Sequence, residues 1–341
     1  MMMNDDVFLD QLRQLPQVES SFTYGAETAR RMLIDGNWIP MNAYGTRVRY
    51  DDIKRVQQTT TYAMEVGYRT IDTGPGYLTE DVVGNAIVNV TGRGIVRRTD
   101  LFICTKLPFT VGSREQVAPA IRDSLKRLQT NYVDLVLLET THNVLDKGKH
   151  NISDIWRGLE DAKWAGLTRS IGVANFDITD ISKILASSKT IPAVNQIETN
   201  PTFANLKLVA YCQSKSIVVM GCAAFGFLVR RPHNNITLPP TFTNPVLVKM
   251  AKKYGVTVSQ VVLRSLLDRN IVPVSTSSNK EHIKLNEDIF DFHLSHKEIQ
   301  EIKKFDKNEK VHPIEVDDMR KQYEEMKSYI KKNNLTQYEN I

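Results

Sequence analysis

Cysteine is scarce in this chain of 341 residues: three in all, an odd number and widely spaced. That excludes a disulfide framework. Cys104 in LFICTK and Cys222 in VVMGCAA sit in apolar segments, where buried free thiols of a reducing compartment are expected. No apolar run approaches the ~20 residues of a membrane span. The opening MMMNDDVFLDQL is acidic where a secretory leader carries a basic stretch followed by an apolar one. These absences predict a cytoplasmic protein that makes no contact with a membrane. The net charge of +5 is mild, and the short clusters KRL, VRRP and IKK are not interleaved with aromatics. They read as solvated faces, which sets nucleic acid aside as a partner. Nor does a Gly-x-Gly-x-x-Gly follow any early strand, so a doubly wound dinucleotide-binding sheet is the weaker reading of the fold.

What the chain has is ordinary in amount and regular in order. Apolar residues make up 41% and charged residues 24%, enough for one large core. Residues 1–29 show little periodicity and read as an N-terminal extension. MLIDGNWIPMN then places two short apolar runs around Asp35-Gly36-Asn37, a hairpin signal. Eight short, β-branched segments follow: AYGTRV, YRTID, LFICTK, VDLVLLE, RSIGVA, AVNQIE, IVVMGC and IVPVST. Strands buried on both faces have this composition.

Between the strands lie stretches of helical period. DDIKRVQQTTTYAMEV lines up Ile53, Val56, Thr60 and Met64. A capping-box spacing from Ser113 to Gln116 opens a helix that runs to Leu128. Another starts after Ser153 and stops at Gly166. Strand and helix alternating eight times predict an α/β fold, a (β/α)8 TIM barrel over residues 30–310 with the hairpin closing its bottom. Residues 311–341 read as a C-terminal helix and tail, with Val316, Met319, Tyr323, Met326 and Ile330 at helical spacing.

Barrels of this kind gather their chemistry at the C-terminal ends of the strands. The polar residues at those ends are Asp72, Lys106, Glu139, Asn175, Gln196 and Thr276. Glu139, in LLETTHNV, is the costliest, because a carboxylate leaving a buried strand needs a partner or a task.

With those ends identified, the chain resembles the aldo-keto reductase superfamily over about residues 30–310. The resemblance is carried by GYRTIDTGPGYLTEDVVGNAI, DLFICTKL, SLKRLQTNYVDLVLLE, GLTRSIGVANF, PAVNQIETNP and KEHIKLNE. It implies a monomeric barrel that binds NADP(H) in an extended pose and reduces small-molecule carbonyls by hydride transfer. It also implies a catalytic set of Tyr77 as general acid, Lys106 lowering the pKa of Tyr77, and Asp72 holding Lys106. The fourth position departs from the family pattern, with Glu139 standing where histidine is usual. His142, three residues on, is ~10 Å further along an extended chain and reads as a loop residue.

Glu at this position resembles the steroid 5β-reductases, which reduce a carbon–carbon double bond conjugated to a ketone. A protonated Glu139 would donate to the substrate oxygen beside Tyr77. An ionised one ~4 Å from the developing oxyanion would oppose it by about 4 kcal/mol at an effective dielectric near 20.

The cofactor side of the resemblance is altered. Asn175 and Gln196 match the pair that grips the nicotinamide carboxamide, but Ala174 replaces the usual serine before Asn175. Cys222 stands where an aromatic usually stacks on the nicotinamide, with Phe225 and Phe227 as possible substitutes. The 2′-phosphate pattern appears as Thr276, Ser277, His282, Leu285 and Asn286, so that Thr276 and His282 replace a lysine and an arginine. Losing two charged phosphate contacts costs ~3–6 kcal/mol, unless Lys280 and Lys284 compensate. The expectations are NADP(H), with NAD(H) as an alternative, and a carbonyl or enone substrate. A catalytically impaired binding or regulatory barrel is the second reading.

Overall fold

A computed structural model describes residues 29–139, 151–229, 241–311, 316–339 and 341. Residues 1–28 of the N-terminal extension, His142 and the arginines of VRRP lie outside those residues. Strands β1 (Arg30–Met32) and β2 (Trp38–Pro40) form the expected antiparallel hairpin. Its turn is made by Gly36 at φ +84°, a left-handed angle that glycine adopts without steric cost.

Eight parallel strands follow: β3 (Ala43–Gly45), β4 (Thr70–Asp72), β5 (Phe102–Lys106), β6 (Val133–Glu139), β7 (Thr168–Ala174), β8 (Val194–Glu198), β9 (Val218–Cys222) and β10 (Ile271–Ser275). They pair in chain order and close through β10 onto β3. Around them run α1 (Ile53–Glu65), α2 (Glu80–Gly92), α3 (Arg114–Leu128), α4 (Ile152–Trp164), α5 (Ile178–Ser187), α6 (Leu206–Ser214), α7 (Pro245–Tyr254), α8 (Val258–Leu267), α9 (Lys280–Glu287), α10 (His296–Lys303) and α11 (Val316–Lys332). The fold is a (β/α)8 barrel. Among the described residues no helix is long and apolar enough to cross a membrane.

Strand alternation decides which side chains reach the barrel mouth. In β6, Leu135 and Leu137 fill the barrel interior while Val136 and Leu138 pack outward under the helices. Glu139 continues the inward series. Lys106 likewise follows inward Cys104, Gln196 follows Val194, Cys222 follows Met220 and Thr276 follows Val274. Leu33, Ile39 and Met41, from the hairpin and just after it, pack beneath the same interior cluster and plug its lower end.

Two local expectations differ from what is found. Helix α4 begins at Ile152 rather than after Ser153, because the side chain of Asn151, its N-cap, accepts from the backbone N–H groups of Ser153 and Asp154. Arg127, within KRL, is not solvated. Its side chain is 8% exposed and donates to the fully buried Glu80 at 2.7 Å.

Candidate active site

The end of β4 and the end of β5 are adjacent in the sheet, and this brings Asp72 and Lys106 together. The Lys106 ammonium donates to Asp72 Oδ1 at 2.7 Å and to the Thr73 carbonyl at 3.1 Å. Gln196, across the barrel on β8, donates to the same Asp72 oxygen at 2.9 Å. Both charged side chains are only 5% exposed. Burial is the largest single influence and opposes the lysine charge, but Asp72, with Tyr77 and Cys104 adding to it, raises the Lys106 pKa well above the ordinary lysine value.

Tyr77 ends a single 3-10 turn, Pro75–Tyr77, directly after β4. The Lys106 ammonium lies 4.6 Å from its ring centre, and the Arg47 guanidinium 5.8 Å from it. Lys106 was expected to lower the Tyr77 pKa. The net displacement is upward: burial is the largest cause, Asp72 adds to it, and Lys106 and Arg47 only offset part. Tyr77 therefore keeps its proton at neutral pH, with both cations beside its ring. Arg47, just beyond β3, is not marked by the sequence, because nothing in GTRV distinguishes it from a solvated arginine.

Glu139 sits half-buried at the exit of β6, where Asn175 donates to its Oε1 at 3.0 Å. Asn175 holds a left-handed backbone, φ +59°, which turns its amide from β7 toward β6. The structure thus gathers Asp72, Tyr77, Lys106 and Gln196 into one network, with Glu139 and Asn175 as a second pair at the same mouth.

Cys222 is partly covered rather than fully buried, and burial pushes its thiol up to about 12. Phe225, one of the two possible substitutes, is partly buried and packs against the core and against Phe242, ring centres 6.0 Å apart.

Of the residues the resemblance assigns to the phosphate, Thr276, Ser277 and His282 collect around the start of α9, beyond β10, whereas Asn286 lies in its last turn. Thr276 is exposed, and its hydroxyl would meet any Cβ added to Gly45 at 2.7 Å. The Ser277 carbonyl accepts from the Tyr44 hydroxyl at 2.8 Å. Asn286 is buried, and its carbonyl accepts from Asn42 at 2.9 Å. His282 is exposed, its backbone N–H bound by the capping side chain of Asn279. Lys280 lies over the Tyr62 ring at 5.0 Å. The patch offers hydroxyl and imidazole groups at a helix N-terminus, a setting that favours phosphate, without the bidentate arginine that distinguishes a 2′-phosphate.

A closed parallel barrel whose mouth holds a buried Asp–Lys pair beside a proton-bearing tyrosine is the architecture of a barrel enzyme acting on an electrophilic carbonyl group. A sequence profile of the Aldo/keto reductase family matches residues 41–307. Aldo-keto reductase AKR2E4 of Bombyx mori is 42% identical over 286 residues, covering 82% of this chain and 92% of its own length. Dihydrodiol dehydrogenase 3 of Bos taurus is 36% identical over 290 residues, covering 80% and 90%. The crystal structure of the Bombyx mori AKR2E4 in complex with NADP superposes with a TM-score of 0.80 at 40% identity, covering 84% of this chain and 96% of that one. The chain belongs to the aldo/keto reductase family.

Proposed function

We propose that this protein is an NADP(H)-dependent oxidoreductase that reduces small carbonyl compounds and, through Glu139, ketones conjugated to a carbon–carbon double bond. The observation that carries the reading is the Asp72–Lys106 pair set against the Tyr77 ring. The solved relatives AKR2E4 and AKR2E5 are complexed with NADP and NADPH, which supports the choice of cofactor.

Asn175 and Gln196 would hold the nicotinamide carboxamide. Thr276, Ser277, His282 and Asn286 would face the adenosine phosphate. When bound, the cofactor supplies the hydride. The chain supplies the proton from Tyr77, the cation that stabilises the remaining phenolate from Lys106, and the anchor for that cation from Asp72. Glu139, if protonated, donates a second hydrogen bond to the substrate oxygen.

The test is the fate of deuterium carried by the cofactor. In the product of a Δ4-3-ketosteroid it is expected on the β-carbon, and in the product of a simple aldehyde on the former carbonyl carbon. Glu139→His is expected to shift the preference toward the carbonyl. If Glu139→Gln and Glu139→Ala reduce an enone as fast as the parent, Glu139 has no such role.

A second reading is a barrel retained for binding, and Thr276 and His282 favour it by standing where charged phosphate ligands are usual. Tryptophan fluorescence without quenching by NADPH or NADH up to millimolar concentration would establish that reading.

A further inference from the structure

We propose that the C-terminal segment, from Gln322 to Ile341, positions the loop that carries Tyr77. The proposal rests on the reductase reading of that tyrosine. The family profile ends at residue 307, so the segment lies outside the part of the chain that the family pattern describes.

Three contacts place the segment around Tyr77. First, Leu78, the next residue, has φ +56°. A leucine holds this left-handed angle only where its surroundings impose it. Those surroundings are Met326, Ile330, Tyr338 and Ile341, which enclose the Leu78 side chain at 1% exposure. Second, the Tyr338 hydroxyl donates to Asp81 Oδ1 at 2.7 Å and accepts from the Asp81 backbone N–H at 3.1 Å, fixing the first turn of α2 three residues beyond Leu78. Third, Gln322 accepts from Arg47 at 3.2 Å, and Arg47 is one of the two cations near the Tyr77 ring.

The grip extends to β5. Arg127 donates to the Gln337 carbonyl at 2.9 Å and to Glu80 Oε2 at 2.7 Å. Glu80 Oε1 accepts from Thr105 at 2.6 Å, the residue before Lys106. A C-terminal tail is thus bonded to the elements on both sides of the tyrosine and lysine. It acts through Leu78, Asp81 and Arg47, and its residues are positioning residues.

The test uses full-length protein. Tyr338→Phe removes only the hydroxyl that binds Asp81, and Leu78→Ala removes the side chain that the tail encloses. Each is expected to lower kcat for carbonyl reduction ~10- to 100-fold, the scale of a displacement near 1 Å, while the NADPH dissociation constant stays unchanged. Leu78→Met, which refills the enclosure, is expected to restore most of the rate.

Fluorotyrosine labelling gives a readout that does not depend on turnover. The fluorine resonance of Tyr77, assigned by its loss in Tyr77→Phe, is expected to shift in both tail-disrupting variants. A parent protein without turnover but with that shift would reject the reductase reading and support the positioning role. An unmoved resonance together with an unchanged kcat would overturn the proposal, even if the melting temperature falls.

Discussion

As the proposed proton donor, Tyr77 would have to hold a proton until the substrate oxygen develops charge, and then give it up. Burial serves the first requirement by raising its pKa. Lys106 serves the second by lying 4.6 Å from the ring. General acid action needs the protonated form, so a raised pKa moves the alkaline fall in reduction rate above the ordinary tyrosine value near 10. Rates measured between pH 7 and 9.5 are therefore expected to show no loss attributable to Tyr77. A fall centred near pH 8 would mean that Tyr77 is not the donor. Replacing Lys106 by Met is expected to lower kcat ~100-fold or more without creating such a fall, because removing the cation raises the Tyr77 pKa further.

The Glu287 carboxyl carries a stability prediction. Burial pushes Glu287 up to about 7, and Asp288 adds to the shift while Arg69 opposes it. The sign follows from linkage. A carboxyl whose folded pKa exceeds its unfolded value destabilises the fold increasingly as pH rises from about 4.3 through 7. Glu287→Gln removes that penalty. It is expected to raise the melting temperature more at pH 8 than at pH 5, and equal gains at the two pH values would contradict the assignment.

Among the elements, β6 shows how much a pattern of alternation decides. VDLVLLE sends Leu135 and Leu137 inward and Val136 and Leu138 outward. The same alternation delivers Glu139 to the mouth. Strand ends were therefore legible in the sequence, and with them Asp72, Lys106, Glu139 and Gln196. Helix starts were legible where a side chain satisfies the first N–H groups. Ser113 with Gln116 forms the expected capping box, while Asn151 displaced Ser153 because an amide oxygen caps equally well and stood two residues earlier.

Asn151→Ala is expected to cost about 1 kcal/mol in urea unfolding. The contact between α3 and α4 depends on Gly158, where an added Cβ would lie 2.7 Å from the Arg114 carbonyl and 2.6 Å from a Val117 methyl. Gly158→Ala must push the two helices apart, and a loss of about 1–3 kcal/mol is expected in the same assay.

At the scale of the whole molecule, the barrel follows from eight alternations of strand and helix, and its mouth from the parity of each strand. What stayed illegible depends on contacts between segments far apart in the chain. Nothing in KRL marks Arg127 as the buried partner of Glu80, and nothing in NNLTQYENI marks Tyr338 as the partner of Asp81. The docking of α11 was legible as an apolar stripe, and Met326 and Ile330 are buried as that stripe requires. Which face of the barrel receives it was not, since Leu78 and Phe109 lie on separate loops. Lys106 does lower the Tyr77 pKa, as its motif implies, but the net direction was not legible for a related reason. A charge partner is visible in a motif, whereas the extent of burial that outweighs it emerges only from the assembled mouth.

The most direct measurement is steady-state oxidation of NADPH by the full-length protein with an aldehyde and with a Δ4-3-ketosteroid, repeated for Tyr77→Phe. Turnover by the parent that falls ~100-fold or more in the variant, with NADPH still quenching tryptophan fluorescence in both, is the result predicted. Turnover that survives Tyr77→Phe unchanged would contradict the assignment of Tyr77 as the proton donor and, with it, the account of the site.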